Sequence, residues 1–378
     1  MLAWLLALYV VAKPFYLLPS GLPQPADAFL AVALALLLLR PSPPLAPDAA
    51  RVVLWASLLV AWIAAVDVGW AVYRADFEFL VPPVFYLYNL ALLFLVFRLH
   101  AAHGDRFLQF LMASTAVAVF LQVLVSLVVG GGGTTRNALL FNNPNQLGYW
   151  ALLSGSIFFV CALRVRVRAH WQVAFALSVL HLVVLSLSKG ALVALAVLFV
   201  LAVLRRPRHL VPAMALAAVG LTAVVETESF QRVQQRISDI GGQSDDSAAS
   251  RGYDRLWEHP EHLVLGAGEG DFERFRRWDD AEFHSTPGTL LFSYGAVGAC
   301  FAAAFLVGIG RRAGVYGLAY LVPAMLYGLT HQGLRFSTLW LLLGVIGALR
   351  APPRTARQRA RSARRIDASP AVSASGLS

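Results

Sequence analysis

Cysteine and charged residues are scarce in this chain of 378 residues. Its two cysteines, Cys161 and Cys300, lie in or beside apolar segments, which argues against a disulfide or a thiolate metal site. Charged residues make up only 14% of the chain, whereas hydrophobic residues make up 58%. This balance excludes an ordinary soluble globular protein and indicates a membrane protein.

The N-terminus also lacks a basic region followed by a small-residue cleavage site and a soluble domain. We therefore expect the first apolar segment to be kept as a span and not removed as a signal peptide. Apolar runs of about 17–25 residues recur along nearly the whole chain, which is the pattern of a polytopic helical membrane protein. They predict an all-α fold of about twelve transmembrane helices, at residues 2–18, 26–40, 52–71, 80–97, 107–129, 145–163, 171–187, 190–205, 209–225, 286–310, 313–330 and 334–349.

Basic residues outnumber acidic ones by 10, but their placement favours a membrane over nucleic acid as the partner. Arginines cluster in alternate short connections between the apolar runs, among them Arg98/Arg106, Arg164/Arg168 and Arg311/Arg312. Because such residues favour the cytoplasmic side, this alternation predicts that both termini are cytoplasmic. The chain then divides into nine spans in residues 1–225, a large periplasmic loop in 226–285, three spans in 286–350 and a disordered basic cytoplasmic tail in 351–378.

The predicted loop is the one long polar segment of an apolar sequence. Residues 226–284 hold 14 of the 21 acidic residues and 7 of the 31 basic ones. Residues 230–240 have helical apolar spacing and predict an amphipathic helix on the membrane or the bundle. Ser250 is suited to cap a second helix, Arg251–His259, which Pro260 ends. The glycine-rich GAGEGDF segment follows no strand, so we interpret it as a tight turn and not as a dinucleotide site.

Most polar motifs fall on the same side as this loop. FNNPNQLG opens the sixth span with amide side chains and helix N–H donors, which suit an anion or sugar hydroxyls; a plain polar helix start is the alternative. Its candidate binding residues are Asn142, Asn143, Asn145 and Gln146. Asp76 and Glu78 could bind a divalent cation, but two carboxylates without a companion cluster are a weak signal, and we predict no metal site.

The charged candidates lie on this side as well. Lys189 of SLSKG is at the outer end of a span, where it either pairs with an anion or anchors in the headgroups. Arg251 and Arg255 lie one turn apart in the predicted loop helix and form a candidate phosphate grip, or else solvated surface charge. His284 closes the loop before an apolar span as a candidate general base, or else a capping histidine. His331 and Arg335 of HQGLR are weaker candidates at the outer rim.

In their order and spacing, four segments resemble the bacterial O-antigen ligase and polymerase family over roughly residues 141–298: FNNPNQLG, SLSKGALVAL, the loop arginine before a Trp and glycine turn, and HSTPGTLLFSYGAVGA. Members move glycans from undecaprenyl diphosphate carriers. The resemblance implies that Lys189 and Arg251 engage the diphosphate and that His284 is the base toward the acceptor, without a metal or other cofactor. The chain departs from the family at Lys189, where Arg is common, and at Ser293, where an acidic residue is common.

The expected partners are an undecaprenyl-diphosphate-linked glycan, a glycan or lipid acceptor and the lipid bilayer. The expected location is the bacterial cytoplasmic membrane, with the active face periplasmic. Charge stabilisation at the leaving diphosphate and proton removal by His284 predict direct displacement with inversion.

A transporter or flippase is the alternative from another class, although the buried mid-membrane charges and internal repeats typical of transporters are not clear in this sequence. A scaffold subunit would leave the one-sided polar motifs unexplained. Polymerase and ligase share a donor, so both stay open.

Overall fold

A computed structural model describes residues 1–19, 22–39, 44–129, 136–205, 251–271, 273–275 and 282–349. Within these ranges the secondary structure is helical and contains no strand. Five helical segments are long and apolar enough to cross a membrane, at Pro47–Arg74, Phe77–His103, Asp105–Val129, Ala169–Ser186 and Thr286–Ala319. The expected all-helical membrane fold is confirmed at this level.

Eight α-helices make up the first part of the described chain: α1 (Leu2–Ala12), α2 (Pro25–Leu38), α3 (Pro47–Arg74), α4 (Val81–His103), α5 (Asp105–Val129), α6 (Pro144–Cys161), α7 (Ala169–Ser186) and α8 (Lys189–Arg205). A 3-10 turn, Phe77–Leu80, leads into α4. The second part holds α9 (Arg255–Glu258), a 3-10 turn at Pro260–His262, α10 (Thr286–Ala319), α11 (Val322–Gly328) and α12 (Ser337–Ala348).

Most predicted spans have a helix at their position, with different ends. Helices α7 and α8 lie close to the predicted spans 171–187 and 190–205. The predicted spans 286–310 and 313–330 are instead one long helix with non-helical backbone at Gly295 and Gly314, followed by α11. The predicted span 209–225, the amphipathic segment 230–240 and the tail 351–378 lie outside the described residues, so the number of twelve spans stays a prediction.

Helices α6 and α12 form the centre of the bundle. Every residue of α6 from Leu147 to Cys161 is buried, as is every residue of α12. A helix that is apolar and buried all round is surrounded by protein and not by lipid. Helix α12 packs against α4, α6 and α10, and α6 also packs against α5, α7 and α8. Residues at the ends of these two central helices are therefore held in place by the surrounding helices.

The loop before α10 binds to a break in that helix. Gly295 has a φ of +66°, in the left-handed region, so the helical hydrogen bonds are interrupted there. The backbone N–H of Gly268 donates to the Ser293 carbonyl over 2.8 Å, and that of Ala296 donates to the Leu263 carbonyl over 2.7 Å. Lipid offers no partners for unpaired backbone groups, so the loop supplies those that the broken helix loses.

Candidate functional site

A cavity of about 780 Å³ lies where the central helices begin. Asn143 caps the N-terminus of α6, and Phe336 and Ser337 begin α12; all three line the cavity. Helix N-termini present unpaired N–H groups and partial positive charge, so they favour an anionic or hydroxyl-rich ligand. Six of the predicted site residues line it: Asn143, Asn145, Gln146, His284, His331 and Arg335.

His284 is an exposed side chain of this cavity, two residues before α10. Its Nδ1 lies 2.7 Å from the carbonyl oxygen of Glu282. Because a carbonyl can only accept, Nδ1 carries a proton, and in the neutral form of the ring Nε2 then has the lone pair. The side chain is thus in the tautomer that a general base toward a hydroxyl requires.

Arg251 is held against the cavity wall next to His284. The backbone N–H of His284 donates to the Arg251 carbonyl over 3.3 Å. The Arg251 guanidinium donates through Nη1 to the carbonyl of Thr330 over 2.9 Å. Arg251 thereby adjoins the segment 329–336, which contains the cavity residues His331 and Arg335.

Lys189 begins α8 on the other side of that same segment. A methyl group on Gly190 would lie 3.1 Å from Thr330 Oγ1 and 3.7 Å from His331 Nδ1. Thr330 is therefore in contact with Arg251 and with the first turn of α8. The structure brings Lys189, Arg251 and His284 into one region, although Lys189 and Arg251 adjoin the cavity without being among its lining residues.

Two predicted binding residues lie elsewhere. Gly252 has a φ of +80°, so Arg251 is in a turn and only Arg255–Glu258 is helical; the two arginines do not share a helical face as predicted. Arg255 is fully buried, with Phe275 and Phe283 within 6 Å of its guanidinium carbon. Burial lowers its pKa to about 10. Asn142 is exposed and, like Arg255, does not line the cavity.

Arg335 lines the cavity, and its guanidinium is paired with two carboxylates. Its Nε lies 3.2 Å from Glu269 Oε2, and its Nη2 bonds to Glu282. Burial acts to lower the pKa of Arg335, but the carboxylates of Glu269 and Glu282 outweigh it and raise that pKa. Since its charge is matched by these partners, Arg335 is better suited to hold the loop and orient a ligand than to offset a diphosphate.

Glu269 was not singled out from the sequence, yet it is the buried centre of a polar network. Its Oε1 accepts hydrogen bonds from Tyr86 at 2.6 Å and Tyr294 at 2.8 Å, and its backbone N–H donates to Asp67 Oδ1 at 2.8 Å. Burial raises the pKa of the Glu269 carboxyl, which Arg335 opposes. One sequence feature was consistent with this buried role: Glu269 is the single acidic residue between the glycines of GAGEG, and glycines allow the backbone to approach the bundle closely.

Arg136 is a second residue that the sequence reasoning missed. Its Nη2 donates to Asn145 Oδ1, and its Nε donates to the Ser186 carbonyl over 3.3 Å. It thereby connects FNNPNQLG to the end of α7, close to Lys189. Arg136 lies in a connection on the predicted outer face, where the positive-inside rule expects few arginines. That departure from the rule is the sequence feature that indicates a role for Arg136.

His331 lies in the cavity as a neutral imidazole. Its ring stacks on Tyr327 with centroids 4.5 Å apart, and its Nδ1 is 3.0 Å from Thr330 Oγ1. Burial, with smaller contributions from Arg251, His284 and Arg136, lowers the pKa of His331 to about 3. It therefore contributes shape and a hydrogen-bonding nitrogen near neutral pH, and no charge.

The acidic pair Asp76 and Glu78 has a local structural role. Asp76 Oδ1 accepts from the backbone N–H of Glu78 over 2.9 Å and so caps the 3-10 turn before α4. Neither side chain lines the cavity. In the part of the chain that the structure describes, no three His, Cys, Asp or Glu residues lie close enough together to hold a metal ion.

No protein-family model and no curated protein matches this chain. Its function is therefore argued from the chemistry and geometry of the site.

Proposed function

We propose that this protein is a membrane glycan transferase that moves an oligosaccharide or polysaccharide from undecaprenyl diphosphate to an acceptor hydroxyl. It would act on the periplasmic face of a bacterial cytoplasmic membrane, with both termini cytoplasmic, as a polymerase or ligase of O-antigen or exopolysaccharide. The observation that carries this proposal is the histidine of defined tautomer in a large cavity beside a cluster of cations and helix N-termini.

The cation cluster suits the leaving group of the donor. Arg136 bonds to Asn145, Arg251 bonds to the Thr330 carbonyl, and Lys189 precedes Gly190, which lies against Thr330 and His331 at the start of α8. Guanidinium and ammonium groups offset the charge that grows on a departing diphosphate, and helix N-termini add to that effect. In this proposal the donor diphosphate binds on the side of the cavity nearest α8, without a metal ion.

His284 would act on the acceptor. Its Nε2 takes the proton of the attacking hydroxyl as the hydroxyl oxygen forms a bond to the anomeric carbon. The bond from that carbon to the phosphate oxygen breaks, and undecaprenyl diphosphate leaves with the electron pair. A single displacement of this kind inverts the anomeric configuration.

A transporter or flippase of lipid-linked glycans is a second candidate, because two acidic residues are deeply buried. Asp67 is 0% exposed and Glu269 is 3% exposed, and buried carboxylates between spans are typical of ion and substrate pathways. Here both belong to a network that binds the loop, through Tyr294 and Arg335, which favours the transferase.

A deletion strain tests the proposal through its surface polysaccharide and its lipid-linked intermediates. Loss of a polymerase would leave single repeat units on the final acceptor, whereas loss of a ligase would strand long polymer on the carrier. Loss of a transporter would instead leave lipid-linked units facing the cytoplasm. Unchanged polysaccharide together with unchanged intermediates would overturn the proposal.

A further inference from the structure

The cavity has a second arm, built by the start of the chain, that the proposed reaction has not used. Lys13 Nζ lies 2.6 Å from Asp27 Oδ1, and the hydroxyl of Tyr88 donates to the same oxygen over 2.6 Å. Gln24 donates its backbone N–H to the other carboxylate oxygen over 2.7 Å. All four residues line the cavity that contains His284.

Aromatic rings form the wall of this arm. The rings of Tyr16 and Phe141 have centroids 5.2 Å apart, and those of Phe141 and Trp150 are 5.6 Å apart. All three residues line the cavity. An aromatic wall with a few fixed polar groups is the usual composition of a site for a small organic ligand.

Asn89 and Gln332 line the cavity, and each has one buried side-chain atom without a hydrogen-bond partner among the described residues. Asn89 is 1% exposed, and its Nδ2 donates to the Arg335 carbonyl, which leaves its Oδ1 unpaired. Gln332 uses its Oε1 to accept from Leu334, which leaves its Nε2 unpaired. Because buried polar atoms are normally paired, we infer that these two amides turn toward a ligand when one occupies the cavity.

The charge of this arm also differs from that of the donor side. Lys13 and Asp27 neutralise each other at contact distance, whereas Arg136 and Arg251 are bonded to Asn145 and Thr330. A neutral arm with hydroxyl, amide and aromatic groups suits an uncharged polar ligand better than a diphosphate. Sugar hydroxyls can donate to Asn89 and accept from Gln332.

We propose that this arm, centred on Asp27, Tyr88 and Asn89, is the subsite for the acceptor sugar. This inference rests on the proposed transferase function and specifies where its second substrate binds. The acceptor glycan lies along the aromatic wall with one hydroxyl directed to His284, and the donor diphosphate lies on the far side of that histidine.

The test uses the full-length protein in nanodiscs with two probes. One is the delipidated repeat-unit oligosaccharide of the source strain, and the other is its undecaprenyl-diphosphate-linked form. Asp27→Asn and Tyr88→Phe are compared with Glu78→Gln, which changes an exposed carboxyl outside the cavity. Tyr88→Phe removes one hydroxyl and keeps the ring, so it remains informative if Asp27→Asn reduces folding.

We expect the KM for the oligosaccharide to rise at least tenfold in Asp27→Asn and Tyr88→Phe, while the KM for the lipid-linked donor changes less than twofold. Oligosaccharide binding, followed by isothermal titration calorimetry, should weaken in parallel, and Glu78→Gln should match the wild type. Folded variants with an unchanged oligosaccharide KM, or with both KM values raised equally, would overturn the subsite. If the wild type releases no undecaprenyl diphosphate from the donor, either with this oligosaccharide or with the final acceptor of the strain, the transferase proposal itself fails, and this result is separate from the oligosaccharide-binding result.

Discussion

The backbone N–H of His284 donates to the carbonyl oxygen of Arg251 across 3.3 Å, which joins the two residues over 33 positions of the chain. One lies where the described part of the loop begins and the other lies next to α10. A displacement of this part of the loop would therefore move the candidate base and a candidate phosphate-binding cation together.

Replacing His284 with Ala should remove the general base. We expect the rate of glycan transfer to fall by about 10²–10⁴-fold, because a positioned base contributes that much. The measurement is the release of undecaprenyl diphosphate by the protein in nanodiscs. The matched control is His170→Ala, since His170 is exposed at the start of α7 and does not line the cavity. Wild-type rates in His284→Ala would reject the assigned role.

Replacing Arg335 with Met should destabilise the fold. Glu269 is 3% exposed at its side chain and would lose its cation, and breaking a buried ion pair costs about 3–5 kcal/mol. The control is Arg74→Met, because Arg74 is 45% exposed in its pair with Asp271 and exposed pairs contribute about 1 kcal/mol or less. Thermal unfolding in detergent should show a much larger loss for Arg335→Met.

The double variant Arg335→Met/Glu269→Gln tests the cause of that loss. Glutamine removes the buried charge while its amide can still accept from Tyr86 and Tyr294. We expect the double variant to unfold at a higher temperature than Arg335→Met alone. If the stability lost by the double variant equals the sum of the losses in Arg335→Met and Glu269→Gln measured separately, Arg335 does not stabilise the fold through Glu269.

Replacing Gly295 with Ala should separate the loop from α10. Gly295 has a φ of +66°, and a methyl group there would overlap the carbonyl of Val264. Strain of this kind costs on the order of 1–3 kcal/mol before the steric overlap is added. The control is Gly69→Ala in α3, where a methyl group meets no atom within 4 Å; it should be neutral or stabilise the helix by about 0.5–1 kcal/mol. Limited proteolysis of the loop and thermal unfolding report both effects.

The buried His331 should make stability fall in acid. Its folded pKa is about 3, against an ordinary value of 6.5. Below pH 6.5 the unfolded chain gains a proton that the folded protein does not, so stability is complete above that pH and is lost as pH falls toward 3. At pH 5 the loss is on the order of 2 kcal/mol. His331→Asn should reduce the difference between the thermal midpoints at pH 7.5 and pH 5, and an equally steep pH dependence in that variant would exclude His331 as its source.

The residues facing His331 make this pH test specific. Arg251, His284 and Arg136 all disfavour its protonated form. Repeating the measurement in His284→Ala separates the two histidines.

Sequence periodicity predicted the helical membrane class because an apolar run long enough to cross a bilayer has few other stable structures. Six of the ten predicted site residues line the cavity, since residues such as Asn143, His284 and Arg335 stand at the polar ends of apolar helices. The prediction that Arg255 shares a face with Arg251 was wrong, because Gly252 adopts a left-handed conformation and the helix begins only at Arg255.

The sequence by itself therefore determined the class of the protein and the end of the bundle at which its polar residues gather. Only the tertiary structure decided which of these residues meet. Arg136, Glu269 and the pair of Lys13 with Asp27 were not predicted as site residues, because each acquires its partners by packing and not by spacing along the chain. Burial and side-chain pairing depend on contacts between segments that are distant in the sequence, and a local sequence pattern does not predict those contacts.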